Sequence, residues 1–129
     1  MKTQTILFFT IAGLIATPLS VEAITPAMAD LVIEKTVQTS STFWSVKVKN
    51  IGRVDSQPTT LKMVATPGGS YSCPVAAIKA GGTIDVPCQM PFKSQKDMRC
   101  EFILNPDKTV PEGNYANNRT TTLTNPKFN

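Results

Sequence analysis

The chain has 129 residues, 13 Lys+Arg against nine Asp+Glu, a formal charge of +4 and no histidine. That length suits a single domain. The lack of imidazole excludes His-based acid–base catalysis, Ser-His and Cys-His nucleophile pairs and imidazole metal ligation. The positive charge is modest and not gathered on one helix or stripe, so nucleic acid is not an expected partner.

Lys2 precedes an apolar run from Ile6 to Ala16, Thr17-Pro18 breaks it, and Val21-Glu22-Ala23 has the small-residue pattern of a cleavage site. Residues 1–23 therefore read as a signal peptide and 24–129 as one domain. The apolar run is shorter than the roughly 20 residues a spanning helix needs. The mature chain is expected to be periplasmic or secreted, without stable membrane insertion.

Beyond the leader the hydrophobic period is two. Leu31-Val32-Ile33-Glu34 reads as a first strand. Trp44, Val46 and Val48 alternate with Ser45, Lys47 and Lys49, which gives one apolar and one solvated face. On that face Trp44 reads as a core anchor rather than an exposed binding aromatic. Asn50-Ile51-Gly52 punctuates, with Gly52 expected to use its freedom at positive φ. Thr59 to Val64 is the next strand, closed by Pro67-Gly68-Gly69. Strands at 73–78 and 83–88, at Met98 to Leu104 and at Thr120 to Leu123 complete about seven. Their spacing, with Pro, Gly and Asn at the turns, predicts an all-β antiparallel sandwich of two sheets.

Export permits disulfides, and the three cysteines at 73, 88 and 100 allow one bridge with one thiol left over. If Lys79-Ala80-Gly81-Gly82 closes a hairpin, Ile78 faces Thr83 and Cys73 faces Cys88 within bridging range. Cys73–Cys88 is thus the expected bridge, with Cys88–Cys100 as the competing pairing. The leftover Cys100 reads as a small buried hydrophobe.

The order of four segments resembles the bacterial cell-adhesion-related domain, CARDB. They are Asp30-Leu31-Val32, the run Val46-Lys47-Val48-Lys49-Asn50-Ile51-Gly52, the turn Ile78-Lys79-Ala80-Gly81-Gly82, and Asn105 through Asn118. The last is similar to the family's closing D-P-x-N-x-V-x-E-x-N-E-x-N-N. The resemblance implies an immunoglobulin-like fold, an extracytoplasmic setting and non-catalytic roles in adhesion or assembly. Two departures stand out: Asn105 replaces an Asp, and Tyr115 replaces the second acidic residue.

Asp107, Glu112, Asn117 and Asn118 form a possible ligand-facing loop. With Asn114 they offer oxygens of the kind Ca²⁺ takes, yet only two carry charge and the spacing matches no EF-hand. Asx turns and a closing clamp account for the same residues, so no metal or cofactor is expected. Lys93, Lys96 and Arg99, near Phe92, read as a solvated loop rather than an anion patch. Asn118-Arg119-Thr120 has the glycosylation pattern, which matters only in a eukaryotic secretory pathway. A Cys nucleophile lacks a nearby His base, and paired inward carboxylates for glycoside hydrolysis are absent from the pattern. No catalytic residue is expected. The function predicted is a small exported adhesion or binding module recognising a protein or cell-surface polymer. The alternative is a structural subunit that assembles by strand addition through an exposed edge and the polar tail after Leu123.

Overall fold

The computed structural model describes residues 27–129; the expected leader at 1–23 lies outside the described residues. Seven strands follow in order: β1 (Leu31–Gln38), β2 (Phe43–Asn50), β3 (Thr59–Thr66), β4 (Gly69–Val75), β5 (Thr83–Gln89), β6 (Arg99–Leu104) and β7 (Arg119–Leu123). They form a three-stranded sheet, β1-β2-β5, and a four-stranded sheet, β4-β3-β6-β7. Every pairing between strands is antiparallel. The expected sandwich is the observed one.

Period-two patterning places the core between the sheets. Trp44, Val46 and Val48 of β2 and Val86 and Cys88 of β5 face Leu61, Met63 and Ala65 of β3 and Cys100, Phe102 and Leu104 of β6. Trp44 is 2% exposed, and its ring meets Phe102 edge-on with centroids 5.3 Å apart. An edge-to-face contact sets the positive ring edge of one aromatic against the negative face of the other. Together the two rings join the sheets at mid-core.

Two local expectations change. The segments at 73–78 and 83–88 do not form a hairpin: β4 pairs with β3 and β5 with β2. The turn lies earlier, at Pro67-Gly68, where Gly68 (φ 147°) and Gly69 (φ 155°) accept backbone closed to side-chain-bearing residues. β4 therefore starts at Gly69, and residues 76–82 carry the chain across from one sheet to the other. Cys73 and Cys88 are still bonded, but as a link between sheets with Cα atoms 5.5 Å apart. Gly52 is not at positive φ; a Cβ there would stand 2.3 Å from the Met28 carbonyl oxygen. Glycine is required at 52 because two backbones touch.

Candidate functional site

The loop between β6 and β7 is built on buried polar side chains. Asn105 follows β6 at φ 53°, a left-handed conformation that Asn tolerates better than most residues. Its Oδ1 accepts from Val110 N–H at 3.2 Å, and its Nδ2 donates to the Val110 carbonyl at 2.7 Å. Glu112 is 5% exposed. Its Oε1 accepts from Leu31 N–H at 2.6 Å, and its Oε2 accepts from Asn105 Nδ2 at 2.7 Å and Asn118 Nδ2 at 2.5 Å. A buried carboxylate persists only when donors replace its water, and three do so here. Asn118 also donates to the Leu104 carbonyl, and Asn117 Nδ2 donates to Asp30 Oδ1 at 3.1 Å.

Of the four loop residues singled out above, Glu112, Asn117 and Asn118 thus converge on the start of β1. Asp107 stands exposed on the turn after β6, outside that cluster. Both oxygens of Glu112 are directed at N–H donors, an environment that repels a cation. Among the described residues no three His, Cys, Asp or Glu side chains gather as a metal site. What the loop offers outward is a shallow pocket of about 380 Å³ bordered by Pro106, Lys108, Tyr115, Asn118 and Arg119. Lys108 Nζ lies 4.9 Å from the Tyr115 ring centroid, a cation–π contact. The Tyr115 hydroxyl accepts from Glu112 N–H at 3.1 Å, so the clamp also orients the ring.

Asn50 plays the matching role for the turn after β2. Its Oδ1 accepts from Asp30 and Gly52 N–H, and its Nδ2 donates to the Val54 and Ile78 carbonyls. All its usual bonding capacity serves backbone, and none is left for a ligand.

Cys100 is a free, fully buried thiol. Burial pushes its pKa up to about 11, which keeps it protonated and unreactive near neutral pH. Lys93 and Lys96 project from the loop before β6, while Phe92 turns inward against the core beside Gly68.

A second surface escaped the sequence reading. Between β1 and β7 lies a groove of about 220 Å³ bordered by Thr36, Gln38, Thr122 and Leu123, with Trp44 lining it. The Gln38 side chain spans it at one end, its Oε1 accepting from Asn125 N–H at 2.7 Å. The polar tail after Leu123, expected as a strand donor, is instead folded onto its own domain. Thr124 Oγ1 donates to the Gln95 carbonyl, Ser94 Oγ donates to Asn129 Oδ1, and Pro126–Phe128 form a 3-10 turn.

The CARDB family profile matches residues 25–122. The chain belongs to the CARDB family. No curated protein matches it. Among solved structures, it is similar to a domain of a protein assigned to the cell surface of Methanosarcina acetivorans. That match has 17% identity and a TM-score of 0.65, covering 75% of this chain and 90% of the other. It is also similar to the CARDB domain of a Pyrococcus furiosus protein solved in complex with di-metal ions. There the identity is 21% and the TM-score 0.58, over 73% of this chain and 84% of that one. At these identities the likeness establishes a shared fold. The clamp and turn residues of this CARDB chain serve that fold.

Proposed function

We propose that this CARDB chain is an exported, non-catalytic binding module that recognises a protein or a cell-surface polymer outside the cytoplasm. The observation that carries the reading is the division of labour in the β6–β7 loop. Glu112, Asn105 and Asn118 are consumed in holding the loop rigid, while Lys108, Tyr115 and Arg119 are presented outward on it. A rigid base with an aromatic ring and the Lys108 cation stacked on it suits recognition, because little order must be imposed on binding. The sequence pattern of residues 1–23 and the cell-surface assignment of the Methanosarcina relative support an extracytoplasmic location. A protonated, buried Cys100 supports a non-catalytic role.

The test combines export and capture. The full chain, expressed in its own cells, is expected outside the cytoplasm with a new N-terminus at Ile24. Crosslinking in that fraction is expected to yield a defined partner whose recovery falls several-fold for Tyr115→Ala. Retention of the intact leader in the cytoplasm, or recovery indifferent to Tyr115, would defeat the reading. A second reading, assembly by strand addition, is favoured by the unguarded edge of β7.

A further inference from the structure

The sandwich has four edge strands, and three are visibly protected against pairing with another chain. On β5, the bonds from Asn50 N–H to the Gly82 carbonyl and from Met90 N–H to the Thr42 carbonyl fix which residues face β2. Hydrogen-bonded pairs recur every second residue, so Pro87 lies on the outward set, where its missing N–H denies a partner a bond. β4 carries Pro74. β1 has a bulge between Ile33 and Lys35 with Glu34 and Lys35 exposed, and its Leu31 N–H is already taken by Glu112. Proline, bulges and edge charges are the usual guards of a free edge.

β7 has no proline and no bulge, and its single charge, Arg119, is engaged with Glu101 at 3.4 Å. Leu104 N–H donates to the Asn118 carbonyl, and Thr124 N–H donates to the Met98 carbonyl. By the same alternation, Thr120 and Thr122 bond toward β6, while Arg119, Thr121 and Leu123 turn their N–H and C=O groups to the free edge. Leu123 is 59% exposed, and Val37 across the groove is also exposed. The surroundings are basic: Arg99 is the cross-strand partner of Leu123, and Lys96 and Lys127 flank the tail, against Asp97 and the already paired Glu101.

From this geometry we infer that the β1/β7 groove accepts an extended, acidic-flanked segment of a partner protein, which adds to the four-stranded sheet along β7. The inference rests on the binding-module reading and adds to its loop surface a second surface with a partner of stated chemistry. Backbone bonds to Arg119, Thr121 and Leu123 supply the pairing, the exposed Leu123 and Val37 offer apolar contact, and the Thr36, Gln38 and Thr122 side chains of the groove offer polar contact to the added strand. The basic rim selects acidic flanks. A second copy of this chain is a poorer occupant, because it would set the same basic rim, on a body of net charge +4, against itself.

The probe is a nine-residue peptide with five alternating Val and Thr residues between two Glu at each end, compared with its Lys-flanked counterpart. The mature chain is titrated at low salt and followed by the fluorescence of its one Trp and by amide exchange. A saturable Trp44 signal is expected, with slowed exchange at Arg119, Thr121 and Leu123 and about tenfold weaker binding of the Lys-flanked peptide. Thr121→Pro removes an N–H the fold does not use, and Leu123→Glu places a like charge in the groove. Each should weaken binding about tenfold or more with the melting temperature nearly unchanged.

Equal binding of both peptides would overturn the charge assignment. Protection of β7 that grows with protein concentration alone would replace the partner by a second copy. Changes confined to residues 105–119 would remove the groove yet leave the binding module standing. No response to either peptide ends the groove proposal, while the module is judged separately through Tyr115.

Discussion

The two open sides of the sandwich are closed in opposite ways. At the β4/β5 side, Cys73–Cys88 joins the sheets covalently, and Pro74 and Pro87 guard both strands. At the β1/β7 side, the sheets meet through the side chain of Gln38 and the apolar mass of Trp44 beside a groove. One side is stapled and sealed. The other is held by packing and by side-chain hydrogen bonds from Gln38, Glu112 and Asn117, and is left with free backbone groups on β7. A small domain has limited core to spend on stability, and a covalent link at one side lets the other stay accessible.

That contrast can be broken at several points. The largest effect is expected from Trp44→Ala, about 3–5 kcal/mol, the range for deleting a large buried aromatic. Urea unfolding measures it, and a loss below about 1 kcal/mol would mean that packing does not hold the open side. Next, replacing both Cys73 and Cys88 by Ser should cost about 3 kcal/mol by the loop-closure argument for a bridge of sequence separation 15. Because the link is between sheets, hydrogen exchange in the double mutant should quicken first in β4 and β5 and leave β7 unaffected.

A third effect depends on pH. Burial raises the Cys100 thiol from 9.0 to about 11. It also raises the Tyr71 phenol, with the nearby thiol adding to that rise. The folded chain then holds its proton where the unfolded chain releases it, so stability is complete below about pH 9 and falls toward pH 11. The Cys100 share is no more than about 3 kcal/mol. Cys100→Ala should flatten the fall, with Tyr71 retaining part of it; an unchanged slope would locate the effect elsewhere. The smallest effect is expected from Gln38→Ala, about 1–2 kcal/mol for its two hydrogen bonds, with the Asn125 N–H and the Ser40 carbonyl. Faster exchange at the Asn125 amide is its specific mark.

Period-two alternation made most of the fold legible, because a strand half-buried in a sandwich must alternate. The spacing of Trp44, Val46 and Val48 alone declares their inward face. Pairing was less legible. Residues 73–78 and 83–88 each alternate correctly, yet alternation says which face is inward and not which strand lies beside it. The cysteines meet because both point into the same core, and a hairpin was not needed. Gly52 illustrates the same limit, since its contact with Met28 is tertiary and leaves no trace in local pattern. In the β6–β7 loop, the polar residues were visible but their direction was not. Glu112 and Asn118 turn inward to backbone, whereas Lys108 and Tyr115 border the outward pocket. An exposed edge near the tail after Leu123 is expected from the sequence, but which strand supplies it is not legible there, because an edge is defined by what does not pair with it.

The Glu112 clamp also sets an order in time. Its bond to Leu31 spans 81 positions, and that of Asn117 to Asp30 spans 87. A polypeptide made or threaded through a pore from its N-terminus can pair β1 with β2 early. The start of β1, however, must wait without its anchor until Glu112 and Asn117 have emerged. Contacts of such long range are slow to form, so the start of β1 is fastened only after the β6–β7 loop has been delivered.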